Sequence, residues 1–164
     1  VGFRLDICRT SGFYYVRIEG YDTAFIGDDF DYNCIYFIRI ENVNTGINLT
    51  SNSKYNKFIG GTLSVSSVKV VDSGTENKFL LIYGYVTEAS GTATFSGDGT
   101  TTTFYIAHGM DVTPDVITIT PLSADACGDF YVTVNSTHII ITYTSAPPAG
   151  TDNVKLSWYA RQKP

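Results

Sequence analysis

Val1-Gly2-Phe3-Arg4-Leu5-Asp6-Ile7-Cys8 opens the chain with apolar side chains at positions 1, 3, 5 and 7 and Gly2, Arg4 and Asp6 between them. Alternation with a period of two marks a half-buried strand, because successive side chains leave a pleated backbone on opposite faces. The rhythm returns further on. Tyr14, Val16 and Ile18 oppose Arg17 and Glu19, and Cys34, Tyr36, Ile38 and Ile40 are set against Arg39 and Glu41. In 62–71 the phase slips, with Leu63 and Val65 apolar at odd positions and Val68 and Val70 at even ones, which predicts a bulge near Ser66-Ser67. The stretch 78–86 is apolar on both faces and predicts a central strand of the first half.

Composition carries the same message. Of 164 residues, 15 are Ile, 13 Val and 21 Thr, against 7 Leu and 9 Ala. Stiff β-branched side chains favour sheets and disfavour helices. Near Glu88-Ala89-Ser90-Gly91 the composition changes: residues 1–88 hold eight of the 11 Lys and Arg, while residues 89–164 hold 14 of the 21 Thr. The expected fold is all-β, with two β-sandwich lobes of antiparallel strands (jelly-roll or immunoglobulin-like), 1–88 and 89–164, and essentially no helix. Six strands are expected in the second lobe, at 92–96, 101–107, 115–120, 129–135, 137–144 and 153–160. Gly97-Asp98-Gly99 is read as a hairpin turn closing the first pair, and Asn135-Ser136 as the turn closing the fourth and fifth. Its expected core is Phe104, Ile106, Ile117, Ile119, Val132, Ile139, Ile141, Leu156 and Trp158.

Several classes fall away. A formal net charge of -5 without basic clusters argues against nucleic acid as a partner. No apolar run approaches the ~20 residues of a membrane span. The chain begins at Val1 and carries no signal peptide, so a processed form or a piece of a larger protein is expected. Of Cys8, Cys34 and Cys127, the first two are close enough in sequence for one bridge, and the alternative is that each is a buried free thiol. Asn48 and Asn135 each open an N-glycosylation sequon.

Catalytic groups are sparse. His108 has Asp111 and Asp115 nearby in sequence but no nucleophile elbow, and it reads as a histidine tying a loop to the sheet. The segment 22–31 holds four Asp and reads either as a solvated loop or as oxygen ligands for calcium. Phe13-Tyr14-Tyr15, with the tyrosines at 21, 32, 36, 55, 83 and 85, enriches the first half in aromatics. Core packing is expected to take most of them, with one of Tyr14 and Tyr15 facing outward. No cofactor is expected.

The second half resembles a known module. Gly91-Thr92-Ala93-Thr94-Phe95-Ser96-Gly97-Asp98-Gly99, then Thr103-Phe104-Tyr105-Ile106-Ala107-His108-Gly109-Met110 and Thr113-Pro114, followed by Ala146-Pro147-Pro148-Ala149-Gly150 and Trp158, are similar to the C-terminal β-sandwich module of phage tail-fibre proteins and archaeal-virus surface or tail proteins. The likeness covers residues 91–161. It implies a structural, non-enzymatic role on a virion surface, contributing to host attachment, with partners among other virion proteins and its own copies, often as a trimer. His108, Gly109 and Trp158 match the module as fold determinants. Two other classes remain open: an extracellular filament subunit assembled by strand addition through 1–8, and a module that binds or degrades glycans. The loops expected to touch a receptor, a host-surface glycan or protein, are those of Asp98, of Ser123 and Asp125, and of Ser136, all small and polar. The alternative is that these are simply solvated turns. The Thr-rich run 100–103 is expected to lie against another subunit.

Overall fold

The computed structural model describes residues 2–9 and 12–163, with the side chains of residue 2 and of residues 12–163. The chain divides into two compact units, Val1–Tyr85 and Val86–Lys163. Strands make up both, and among the described residues the single helical element is a 3-10 turn at Ala124–Ala126.

The first unit contains β1 (Phe3–Arg9), β2 (Gly12–Tyr14), β3 (Arg17–Glu19), β4 (Thr23–Asp31), β5 (Cys34–Leu49), β6 (Lys57–Asp72) and β7 (Lys78–Tyr83). Every pairing among them is parallel. Phe3, Phe25, Ile47 and Val70 stand in one register row, and Phe13, Ile35, Phe58 and Phe79 in another. The chain therefore advances one coil every 21–23 residues, as a β-solenoid. This corrects the expectation of an antiparallel sandwich over 1–88. Alternation reports that a strand has a dry face and a wet face, and is silent on the direction of its neighbour.

The rows explain the fold. Phe25, Phe30, Ile35, Ile38, Ile40, Ile47, Leu49, Phe58 and Phe79 are fully buried in it, each contributing about 1.5–3 kcal/mol of transfer free energy. Phe58 stacks on Phe79 with centroids 5.0 Å apart, and Phe25 meets Phe30 and Phe58 edge-on at 5.5 and 5.6 Å. One inner corner is polar. Asn33, Asn56 and Asn77 are buried above one another: Asn56 Oδ1 accepts from the backbone N–H and Nδ2 of Asn33 at 3.0 and 3.1 Å, and Asn77 Oδ1 from those of Asn56 at 3.0 and 2.9 Å. Asn56 Nδ2 also donates to the Phe30 carbonyl, and Asp72 ends the ladder by accepting from Asn77 Nδ2. A buried amide without such partners would cost about 1–3 kcal/mol.

Three further expectations change in this unit. The segment 78–86 is not a central strand: β7 ends at Tyr83, pairs only with β6, and leaves Leu81 and Tyr83 exposed. The acidic segment 22–31 is not a loop but β4, with Phe25, Gly27 and Phe30 turned inward. The first strand, which under the filament alternative would insert into a neighbour, lies in register along β4 of its own chain. The bulge near Ser66-Ser67 is present, since Val65 pairs with Val43 and Val68 with Thr45, leaving two residues opposite Asn44.

The second unit has β8 (Glu88–Gly97), β9 (Thr103–Ala107), β10 (Val116–Pro121), β11 (Phe130–Val134), β12 (His138–Tyr143) and β13 (Gly150–Arg161). They form two antiparallel three-stranded sheets, β10-β13-β8 and β11-β12-β9. Both sheets feed one core, with Phe104, Ile106, Ile139, Ile141, Leu156 and Trp158 buried and Ile117, Ile119 and Val132 packed against them. Gly91 lies against the indole of Trp158, where an added Cβ would sit only 3.1–3.2 Å from ring atoms. The hairpin expected at Gly97-Asp98-Gly99 is absent, because β8 pairs with β13 and β9 with β12; this turn carries the chain from one sheet to the other. Asn135-Ser136 does close the β11–β12 hairpin, with Asn135 N–H donating to the His138 carbonyl at 3.0 Å.

Candidate functional site

The four loop residues expected to contact a receptor lie in the second unit; Asp98 holds its own turn, while Ser123 and Asp125 tie their loop to β13. Asp98 accepts from the N–H groups of Thr100 and Thr101 at 2.7 and 2.6 Å and from the Thr101 hydroxyl at 2.6 Å. The Thr101 hydroxyl, then the Thr101 and Thr100 N–H groups, hold its carboxyl far below the usual carboxylate range. Ser123 Oγ donates to the Asn153 carbonyl at 2.5 Å and accepts from Lys155 N–H at 3.0 Å, while Asp125 accepts from Asn153 Nδ2 at 2.9 Å. Ser136 is exposed at a hairpin tip that Asn135 organises, its Oδ1 accepting from Thr137 and His138 N–H at 2.9 and 2.7 Å. Asn48, the other sequon residue, lies half-buried within β5.

His108 is buried between two loops. Its Nδ1 accepts from Met110 N–H at 3.0 Å and its Nε2 faces the Asn135 carbonyl at 3.2 Å, so the ring is the neutral tautomer protonated on Nε2. This is the loop tie the sequence suggests. The acidic residues of 22–31 are likewise engaged: Asp28 with Thr50 at 2.6 Å and Asn52 at 3.3 Å, Asp31 with Lys54 N–H at 2.8 Å, Asp22 with Asn44 at 2.8 Å. Among the described residues no cluster of His, Cys, Asp and Glu is arranged to hold a metal. Cys34 carries a free thiol, and the register sets it beside Gly12 and sets Cys8 beside Phe30, which corrects the suggested bridge.

The surface of the solenoid holds what the sequence reading assigned to a core. Its buried rings are mainly phenylalanines, while Tyr14, Tyr15, Tyr21, Tyr32, Tyr55 and Tyr83 are exposed. Both Tyr14 and Tyr15 face solvent, against the expectation that only one would. The reason lies in the backbone of the coil: Tyr15 has φ +62°, a left-handed corner that breaks the alternation. The register-equivalent residues of the next three coils, Phe37, Gly60 and Leu81, repeat it with φ +56°, +69° and +55°. On the row before it Tyr14 stacks on Tyr36 at 5.0 Å and 6°, and on a separate left-handed row Tyr32 stacks on Tyr55 at 4.9 Å and 17°.

Beyond the corner lies a charged lattice. Arg17 stands over Arg39 and Glu19 over Glu41. Arg17 bonds Glu19 at 2.8 Å and reaches Glu41 at 3.6 Å, and Arg39 bonds Glu41 at 2.8 Å. The hydrogen bond from Arg39 lowers the Glu41 carboxyl, and the same bond raises Arg39. In front of this lattice an open cavity of about 570 Å³ is lined by Gly2, Tyr15, Val16, Arg17, Ile18, Glu19 and Tyr21. Gly2 forms a tight wall, since a Cβ there would collide with Ile18 and the Tyr21 ring. Aromatic rings beside a matched Arg–Glu pair can take an uncharged ligand having both C–H faces and hydroxyls. The signal that would have found this site is the repeat itself: Phe13-Tyr14-Tyr15-Val16-Arg17-Ile18-Glu19 returns 22 residues later as Ile35-Tyr36-Phe37-Ile38-Arg39-Ile40-Glu41.

No protein-family model matches the sequence, and no curated protein matches it.

Proposed function

We propose that this chain is a structural, non-enzymatic protein of a virion surface or tail fibre that contributes to host attachment, acting extracellularly as a homo-oligomer, with a trimer favoured. The observation that carries the reading is the display of rings and apolar side chains on the solenoid corner. Leu81 and Tyr15 are 82% and 78% exposed and occupy left-handed backbone positions. Exposure forfeits transfer free energy, and the left-handed conformation costs about 1–2 kcal/mol for a residue with a Cβ. Neither helps the free chain to fold, so a contact made by these side chains is the simplest account of them.

What speaks for binding rather than turnover is how the polar groups are engaged. His108, Asp98, Asp125, Asp28 and Asp31 all hold loops or coils, through the bonds described above. The filament alternative has less support, because a donor strand at 1–8 would have to leave β4. Light scattering on the purified chain should find a closed, small oligomer, and antibodies to it should decorate the surface or tail of intact particles. Open-ended polymerisation, or decoration of cell-surface filaments instead, would overturn the reading.

A further inference from the structure

We infer that the cavity beside Tyr15 and Tyr21 binds a neutral saccharide segment of the host surface; this deepens the attachment reading above and rests on it. The cavity's volume of about 570 Å³ falls within the ~300–1,000 Å³ of small-ligand sites. Its two tyrosines differ from their neighbours on the solenoid. Tyr14 and Tyr32 have a ring face covered by Tyr36 and Tyr55. Among the described residues the rings of Tyr15 and Tyr21 stack on no other ring, and they are 78% and 47% exposed. A free ring face with its negative quadrupole attracts the polarised C–H face of a pyranose. Tyr15 is held in place for this by its corner, which fixes the backbone at φ +62°.

The polar half of the site selects the ligand class. Arg17 and Glu19 lie side by side at 2.8 Å, giving a planar fork of donors next to a carboxylate acceptor, the pairing that reads vicinal hydroxyls. The positive charge of Arg17 is already matched by Glu19 and by Glu41 at 3.6 Å. A uronic or sialic acid would place its carboxylate against these two, on a chain whose net charge is -5. A neutral sugar meets no such repulsion. Val16 and the buried Ile18 also line the cavity and keep it partly apolar.

Calorimetric titration of the full chain tests this with a panel of gluco-, galacto- and manno-oligosaccharides and a matched uronic-acid set. At least one neutral oligosaccharide should bind with a dissociation constant of about 0.1–1 mM. Tyr15→Gly, which suits the left-handed backbone, and Tyr21→Ser should each weaken it at least tenfold with an unchanged circular dichroism spectrum. Tyr14→Ser, on the stacked row, should leave it within twofold. Failure of every neutral oligosaccharide to bind, preference for the uronic acids, or wild-type affinity in Tyr15→Gly overturns the inference. Adsorption of labelled protein to host cells separates the two levels. If wild type and the Tyr15→Gly/Tyr21→Ser double variant adsorb equally, the cavity is not the receptor site and the attachment reading stands. If wild type does not adsorb, the attachment reading itself falls.

Discussion

Leu81 and Phe37 illustrate how one backbone position governs a surface. In the left-handed region Cβ crowds the following carbonyl, and glycine alone escapes that cost. Gly60 occupies the same row without strain and lies under the Phe37 ring, whose atoms are 3.4 Å from where its Cβ would be. Leu81→Gly should therefore raise stability by about 0.5–1 kcal/mol, the relief of strain outweighing the entropy glycine adds to the unfolded chain. The denaturation midpoint measures it, and Leu81→Val should move that midpoint the other way. Asp98 is the residue-scale test of acid stability. Its folded-state pKa is depressed by the Thr101 hydroxyl and by backbone N–H groups, so its stabilisation is fully present above the ordinary carboxylate value. It is lost only as pH falls through the lower, folded-state value. A carboxyl titration followed by NMR should put the Asp98 midpoint below the ordinary carboxylate value, and Thr101→Val should raise it.

At the scale of the element, the asparagine ladder ties one coil to the next. Asn56 and Asn77 each accept from the backbone N–H and the side-chain amide of the asparagine one coil before them. Removing the middle one takes away the oxygen that accepts from both Asn33 N–H and Asn33 Nδ2, and one of the two donors to the Phe30 carbonyl, which keeps Lys54 N–H. Asn56→Ala should cost about 3 kcal/mol, read from chemical unfolding. Asn56→Gln, with one methylene more, should not recover it, because the coil spacing fixes the reach. The strands of the second unit were legible in the sequence because each dry face is short and interrupted by Gly, Pro or Asn turns. Those of the solenoid were legible as strands but not as coils. Asp31-Tyr32-Asn33, Lys54-Tyr55-Asn56 and Thr75-Glu76-Asn77 look like ordinary polar turns until their spacing is compared. Their stacking becomes visible only through the parallel bridges Asp31 to Lys54 and Lys54 to Thr75.

The whole molecule contains two units, each with its own core. A chain with two separate cores need not unfold in one step. The single tryptophan, Trp158, lies in the second unit, buried among Leu156, Ile139 and Ile141. Its fluorescence therefore reports that unit alone, while far-UV circular dichroism reports both. Asn56→Ala should shift the dichroism transition of the first unit and leave the Trp158 transition in place. Coincident shifts of both signals would mean that the units unfold as one.

The sequence by itself determined that the chain is nearly all strand, roughly where the strands of the second unit run, and part of that unit's core, Phe104, Ile106, Ile139, Ile141, Leu156 and Trp158, without Met110, Tyr143 and Val154. Those properties follow from local sterics and from a two-residue period, and both are written into neighbouring residues. Tertiary structure alone decided that the first unit coils in parallel, that Gly97-Asp98-Gly99 crosses between sheets rather than closing a hairpin, and that Tyr14 and Tyr15 both face solvent. Strand direction depends on partners about 22 residues away, and a corner's φ depends on the coils stacked beside it. The cavity beside Tyr15 belongs to the second kind, because Gly2, Arg17 and Tyr21 meet only once the first coil has turned.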